Sequence, residues 1–142
     1  MNIQIKRLVP EAVIPAYGSV GAACFDLTSI SCKIVDGSDY AYVEYDTGLA
    51  FSIPKGHVGL LYPRSSISKT GMILSNSVGV IDSDYRGGVT ARFKWVRGTT
   101  MYNTGERCCQ MMVIPIEQVT FEEVQELDET ERGTGGYGST GK

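Results

Sequence analysis

The chain has 142 residues, 42% of them hydrophobic, and a formal net charge of −3. That length suits one domain with its own core and hardly two. No apolar run reaches the roughly 18 residues of a membrane span, and the acidic balance excludes the broad basic field that non-specific nucleic-acid binding requires.

Met1 to Arg7 lacks the charged-then-apolar layout of a signal peptide, so the expectation is a soluble, intracellular, cytoplasmic protein with no membrane and no nucleic-acid partner. Cys24, Cys32, Cys108 and Cys109 form one adjacent pair and no CxxC, and His57 is the single histidine. Metal sites built on Cys and His are therefore unexpected, and the cysteines read as reduced, mostly buried packing residues.

Ile3, Ile5 and Leu8 alternate with polar residues as a first strand, and Pro10 and Pro15 bracket a loop. In Phe25-Asp26-Leu27 a charge stands between apolar neighbours. On a strand Asp26 faces away from the side that buries them, as a solvated residue or as a site. Cys32–Val35, Tyr40–Phe51 and the run to Tyr62 supply further short strands separated by turns, with His57 in a surface loop. No convincing helical period exceeds about two turns, so the pattern predicts an all-β sandwich or jelly roll.

Pro63-Arg64-Ser65-Ser66 to Gly71 is the exception: a serine cap and a glycine stop predict a short helix. Two hydroxyls and a guanidinium at its start suit phosphate, or else form a cap with one surface arginine. From Asn76 to Phe93 the sequence reads as a β-hairpin. Its tip is Asp82-Ser83-Asp84-Tyr85-Arg86, and its glycines leave room for close approach to the backbone. Trp95 is expected in the core. Glu106 to Ile116 is nearly continuous apolar sequence, the mark of a strand buried on both faces. Gln110 is the anomaly there, because a buried amide needs a cross-strand or ligand partner. Val119, Phe121, Val124 and Leu127 lie in an acidic run that predicts a last strand or a short helix. Gly136 to Lys142 fits the start of a Walker A pattern, but no Ser or Thr follows and no helix can form. The glycine-rich end reads as a tail or as a mobile lid able to wrap phosphates.

AACFDL, PRSSIS, NSVGVIDSDYRGG, GERCCQ and RGTGGYGSTGK, in that order from Ala22 to Lys142, together resemble the five motifs of the trimeric dUTP diphosphatases (dUTPases). The resemblance implies a jelly-roll homotrimer: a β domain over 1–131, and an arm over 132–142 that closes over a neighbouring subunit's site. It implies hydrolysis of dUTP to dUMP and pyrophosphate, which limits uracil in DNA and supplies dUMP for dTTP synthesis. Asp82 would be the general base for the water attacking the α-phosphorus, and Tyr85 would lie under the deoxyribose and exclude a 2′-hydroxyl. Asn76, Gly79 and Thr90 would read uracil, while Arg64, Ser65, Ser66 and Gln110 would contact phosphates. Arg132 would hold the γ-phosphate, Tyr137 would stack on the base, and Gly138, Ser139 and Thr140 would wrap the β- and γ-phosphates. Asp26 would hold waters of a catalytic Mg²⁺. Magnesium keeps much of its water and binds through substrate phosphates, which accounts for the lack of a dedicated cage.

Two departures stand out: Cys24 replaces the usual glycine beside Asp26, and Tyr137 replaces the commoner phenylalanine. The Arg97–Gly105 loop lies outside the shared pattern, and Asp84 and Arg86 are assigned to holding the hairpin and to subunit contacts. A dCTP deaminase of the same fold is the nearest alternative, although no glutamate lies in the central stretch. A signalling or binding module is the alternative from another class.

Overall fold

The computed structural model describes residues 1–36 and 41–136. Among the described residues, eleven short strands build three sheets. The first pairs β1 (Gln4–Arg7) with β6 (Leu49–Ser52). The second runs β4 (Ser31–Asp36), β5 (Ala41–Asp46), β10 (Thr90–Trp95), β8 (Met72–Leu74). The third runs β2 (Ala16–Tyr17), β3 (Phe25–Thr28), β11 (Arg107–Pro115), β7 (His57–Tyr62), β9 (Gly79–Ile81). Every pairing is antiparallel. This is the all-β, jelly-roll-like architecture expected from the turn spacing.

Alternation decides what is buried. On β10 Ala91 and Phe93 turn inward while Thr90, Arg92 and Lys94 stay exposed. Their partners on β5 are Tyr45 and Val43. Tyr45 meets the Phe93 ring edge-on at 5.8 Å. Its hydroxyl donates to the Tyr102 carbonyl at 2.8 Å, and burial pushes the phenol's pKa up. Leu27, Leu49 and Met111 complete the same core from the other sheets. Each fully buried side chain of this size contributes about 1.5–3 kcal/mol.

Gly48 sits where the chain turns from β5 into β6, with φ of 64°. A Cβ there would lie 2.6 Å from Ile30 Cδ1, 3.0 Å from Val9 Cγ2 and 3.1 Å from Ala12 Cβ. Gly48→Ala would combine a left-handed backbone cost of about 1–2 kcal/mol with overpacking of about 1–3 kcal/mol. A fall in Tm of about 10 °C is expected on thermal unfolding. An unchanged Tm would overturn this account.

Several expectations are corrected. Residues 76–93 do not form a hairpin, because β9 pairs with β7 and β10 pairs with β5 and β8. The chain crosses from one sheet to another through 82–89, so the turn-like composition marks a crossover. No strand or helix forms over 116–131, where every residue is exposed. Among the described residues this segment pairs with no strand. His57 opens β7 opposite Pro115 and is half-buried, so it is a strand residue and does not sit in a loop. Leu8 is exposed just beyond β1, and Trp95 is only half-buried, its Nε1 donating to the Thr99 carbonyl at 3.1 Å. No helix of the described residues is long and apolar enough to cross a membrane.

Candidate active site

Asp26 lies on β3 between Phe25 and Leu27, which are both buried, so its side chain points to the opposite face as alternation requires. Gln110 of β11 stands directly opposite it, with Tyr62 of β7 on Gln110's other side. Asp26 is not merely solvated. Arg64 Nε donates to its Oδ1 at 2.7 Å and Nη2 to Oδ2 at 3.5 Å, while Arg107 Nη1 donates to Oδ2 at 2.9 Å. The Asp26 and Arg64 side chains are only 16% and 22% exposed. Removing one partner from such a semi-buried set strands the others, which makes the arrangement rigid. The two guanidinium groups stand at the lip of a cleft, where the charges of Arg64 and Arg107 are balanced by the carboxylates of Asp26 and Glu106. Glu106 also lines that cleft, with its Oε2 accepting the Asn103 N–H at 2.7 Å.

Arg64 immediately precedes a 3₁₀ turn over Ser65–Lys69. The expected short helix is present in this tighter form, but neither Ser65 nor Ser66 caps it. Arg64 occupies the cap position in extended conformation with no side-chain cap bond. Its side chain is instead drawn to Asp26, while Nη1 reaches Ser66 Oγ and the Arg107 carbonyl, each at 3.4 Å. Gln110 Nε2 donates to the Pro63 carbonyl at 2.9 Å, so the anomalous amide has a protein partner and braces the turn that carries Arg64. Ser66 Oγ lies 2.8 Å from the Tyr102 hydroxyl. Arg64, Ser66, Tyr102 and Arg107 share a cleft of about 340 Å³. Ser65 is exposed beside it.

Arg107 and Tyr102 were missed by sequence reasoning. A bulge between Arg107 and Cys109 inserts one extra residue into β11. Arg107 and Gln110, an odd number of positions apart, thereby come to flank Asp26, while both adjacent cysteines are buried. Two consecutive buried residues after an arginine were the available signal. The Cys108 and Cys109 sulfurs are 3.7 Å apart, and that contact, followed by burial, raises the Cys109 thiol well above its ordinary pKa. Burial, followed by the Asp26 charge, also raises Cys24, so the thiol that replaces a glycine here stays neutral. All four cysteines are free.

The uracil-reading candidates lie elsewhere. Asn76, Gly79 and Thr90 line a second cleft of about 380 Å³ between β9 and β10. Gly79 is needed for packing: a Cβ would come 2.9 Å from Leu61 Cβ on β7. Asn76 precedes Ser77, whose φ of 61° marks a tight turn with local backbone strain. Asp82 lines a third cleft of about 600 Å³, with Lys55, His57, Asp84 and Arg86. Arg86 Nη1 donates to the carbonyls of Ser83 and Tyr85, at 2.7 and 3.0 Å, and so holds the loop. Tyr85 donates its hydroxyl to the Gly88 carbonyl at 3.1 Å, and its ring lies where a Cβ on Gly87 would be 2.3 Å from the hydroxyl oxygen.

These three clefts share no residue. Within one chain, Asp26, Arg64, Ser66 and Gln110 come together, while Asp82 and the uracil-reading group each stand apart. Arg132 is exposed and donates through Nε to the Gly135 carbonyl at 2.9 Å, within its own turn. Tyr137, Gly138, Ser139 and Thr140 lie outside the described residues. Among the described residues, no group of three or more His, Cys, Asp or Glu stands where it would hold a metal ion.

The chain is 41% identical over 144 residues to the deoxyuridine 5'-triphosphate nucleotidohydrolase of Nautilia profundicola, covering all of both chains. It is 39% identical over 150 residues to the enzyme of the same name from Acinetobacter baumannii, covering 100% of this chain and 99% of the relative. Among solved structures, the Staphylococcus bacteriophage 80alpha dUTPase with dUpNHpp superposes with a TM-score of 0.82 at 27% identity, over 99% of each chain. The dUTPase family profile matches residues 10–141, and on that match and those identities the chain belongs to the dUTPase family.

Proposed function

We propose that the chain hydrolyses dUTP to dUMP and pyrophosphate in a homotrimer whose sites are assembled across subunits. The observation that carries this reading is the Asp26-held pair of arginines beside Ser66, a set of guanidinium and hydroxyl donors suited to the oxygens of a polyphosphate. A triphosphate chain would lie against Arg64, Ser65, Ser66 and Gln110. Asp82 stands in a different cleft and is exposed, and an ionised carboxylate at neutral pH can take the proton of an attacking water. The separation of the clefts favours a site completed by other copies, with the arm over 132–142 supplying Arg132, Tyr137, Gly138, Ser139 and Thr140. Uncovered Val119, Phe121, Val124 and Leu127 just before the arm fit a segment that docks on a neighbour.

A magnesium ion is compatible with these residues. Asp26 has about four lone-pair positions, of which the arginines take three, leaving one for a water. Asp26 would therefore hold the ion through its water, with the phosphates as the main ligands. The bound ion would offset charge on the phosphates, as hard divalent cations do.

Pyrophosphate release from dUTP, measured with Mg²⁺ and with a chelator, tests the proposal. Release that needs the metal is expected, whereas ammonia release from dCTP would reject it in favour of deamination. Tyr85→Ala removes the ring that would lie under the sugar. The UTP-to-dUTP activity ratio is expected to rise by about tenfold or more, as loss of a close packing contact allows. An unaltered ratio would refute the steric account.

A further inference from the structure

The Arg97–Gly105 loop has no part in the roles above, yet its Tyr102 reaches the phosphate-side cleft. The Tyr102 ring is buried and meets the Tyr45 ring edge-on at 6.2 Å, and its carbonyl accepts the Tyr45 hydroxyl at 2.8 Å. The side chain is thus fixed at both ends. Its hydroxyl lies 2.8 Å from Ser66 Oγ, which also receives Arg64 Nη1 at 3.4 Å. Arg64 is itself clamped by Asp26.

A serine hydroxyl has one hydrogen to give and two lone pairs to accept with, and it normally rotates to suit its surroundings. A phenol, with a pKa of about 10, is a better donor and a poorer acceptor than an aliphatic alcohol. We infer that Tyr102 is a positioning residue: its O–H donates to Ser66 Oγ, and together with Arg64 it occupies both serine acceptor sites. The Ser66 hydrogen is thereby turned into the cleft as a donor for a phosphate oxygen.

The consequence is a hydroxyl locked in the polarity an anion needs before the anion arrives. Left free, the same hydroxyl could present a lone pair to the anion and repel it. This inference rests on the phosphate-side part of the proposed function and deepens it. It requires neither Asp82 nor turnover.

The test uses the full chain and two probes, inorganic tripolyphosphate and deoxyuridine, with binding read by calorimetry. Tyr102→Phe keeps the ring and removes the donor. It is expected to weaken tripolyphosphate about fivefold to tenfold, the usual scale for one hydrogen bond, and to leave deoxyuridine unchanged. Ser66→Ala, which leaves Tyr102's packing intact, is expected to show a loss at least as large. Adding Tyr102→Phe to Ser66→Ala should change affinity by less than about twofold, because the tyrosine acts only through the serine. Unchanged tripolyphosphate affinity in either single variant would overturn the inference. So would a Tyr102→Phe effect of equal size in the Ser66→Ala background, or an equal loss for deoxyuridine. Tripolyphosphate binding is readable whether or not the wild-type chain hydrolyses dUTP, so failure here and failure of the functional proposal give different results.

Discussion

Asp82→Asn is expected to lower turnover of dUTP by about two to four orders of magnitude, the range attributed to a lost general base. Asparagine has nearly the same shape but cannot take up the proton of an attacking water. The loop itself should survive the change. Its internal bonds use the Asp82 carbonyl, which accepts the Tyr85 N–H at 3.2 Å, and Arg86's grip on Ser83 and Tyr85. Affinity for a non-hydrolysable dUTP analogue should therefore stay within a few-fold of wild type while the single-turnover rate collapses. Near-normal turnover would remove Asp82 from the mechanism.

Truncation before Arg132 should leave the β domain and the trimer folded while slowing hydrolysis by about two to three orders of magnitude, as expected when groups that orient a substrate are lost. The bonds made by Arg132, Gly133 and Gly135 stay within 130–135, so none ties this part of the arm to the core. Thermal unfolding of the truncated chain should match the full chain within a few degrees. Light scattering should give the same mass per assembly after allowing for the missing residues. Retention of full activity would show that the arm has no part in catalysis.

The alternation of Phe25, Asp26 and Leu27, and of Ala91, Arg92 and Phe93, was readable because side-chain direction on a strand follows from position alone. The burial of the cysteine pair was readable from the nearly continuous apolar run around it rather than from alternation. What the sequence hid were facts about pairing. A run of alternating residues around an Asp-Ser-Asp turn looks identical whether its two arms pair with each other or with strands from elsewhere. The stretch from Asn76 to Phe93 was therefore mistaken for a hairpin. The last predicted strand is absent because a local pattern does not supply a partner: Val119 and Phe121 alternate, yet among the described residues they pair with no strand. Arg107 was hidden by a bulge, since strict alternation places it on the wrong side from Gln110. Tyr102 was hidden because a contact spanning 36 positions leaves no mark in local spacing.

Because β9 and β10 belong to different sheets, the loop from Asp82 to Gly88 is tethered at one end to each. Its span therefore reports the offset between the two sheets, much as a strap between two plates tightens or slackens when they slide. Substitutions that only alter how those plates rest on each other, such as trimming Phe93 or Leu61 in the core, should appear in the position of Asp82. The interior of the protein would then act as a remote adjustment on its own chemistry.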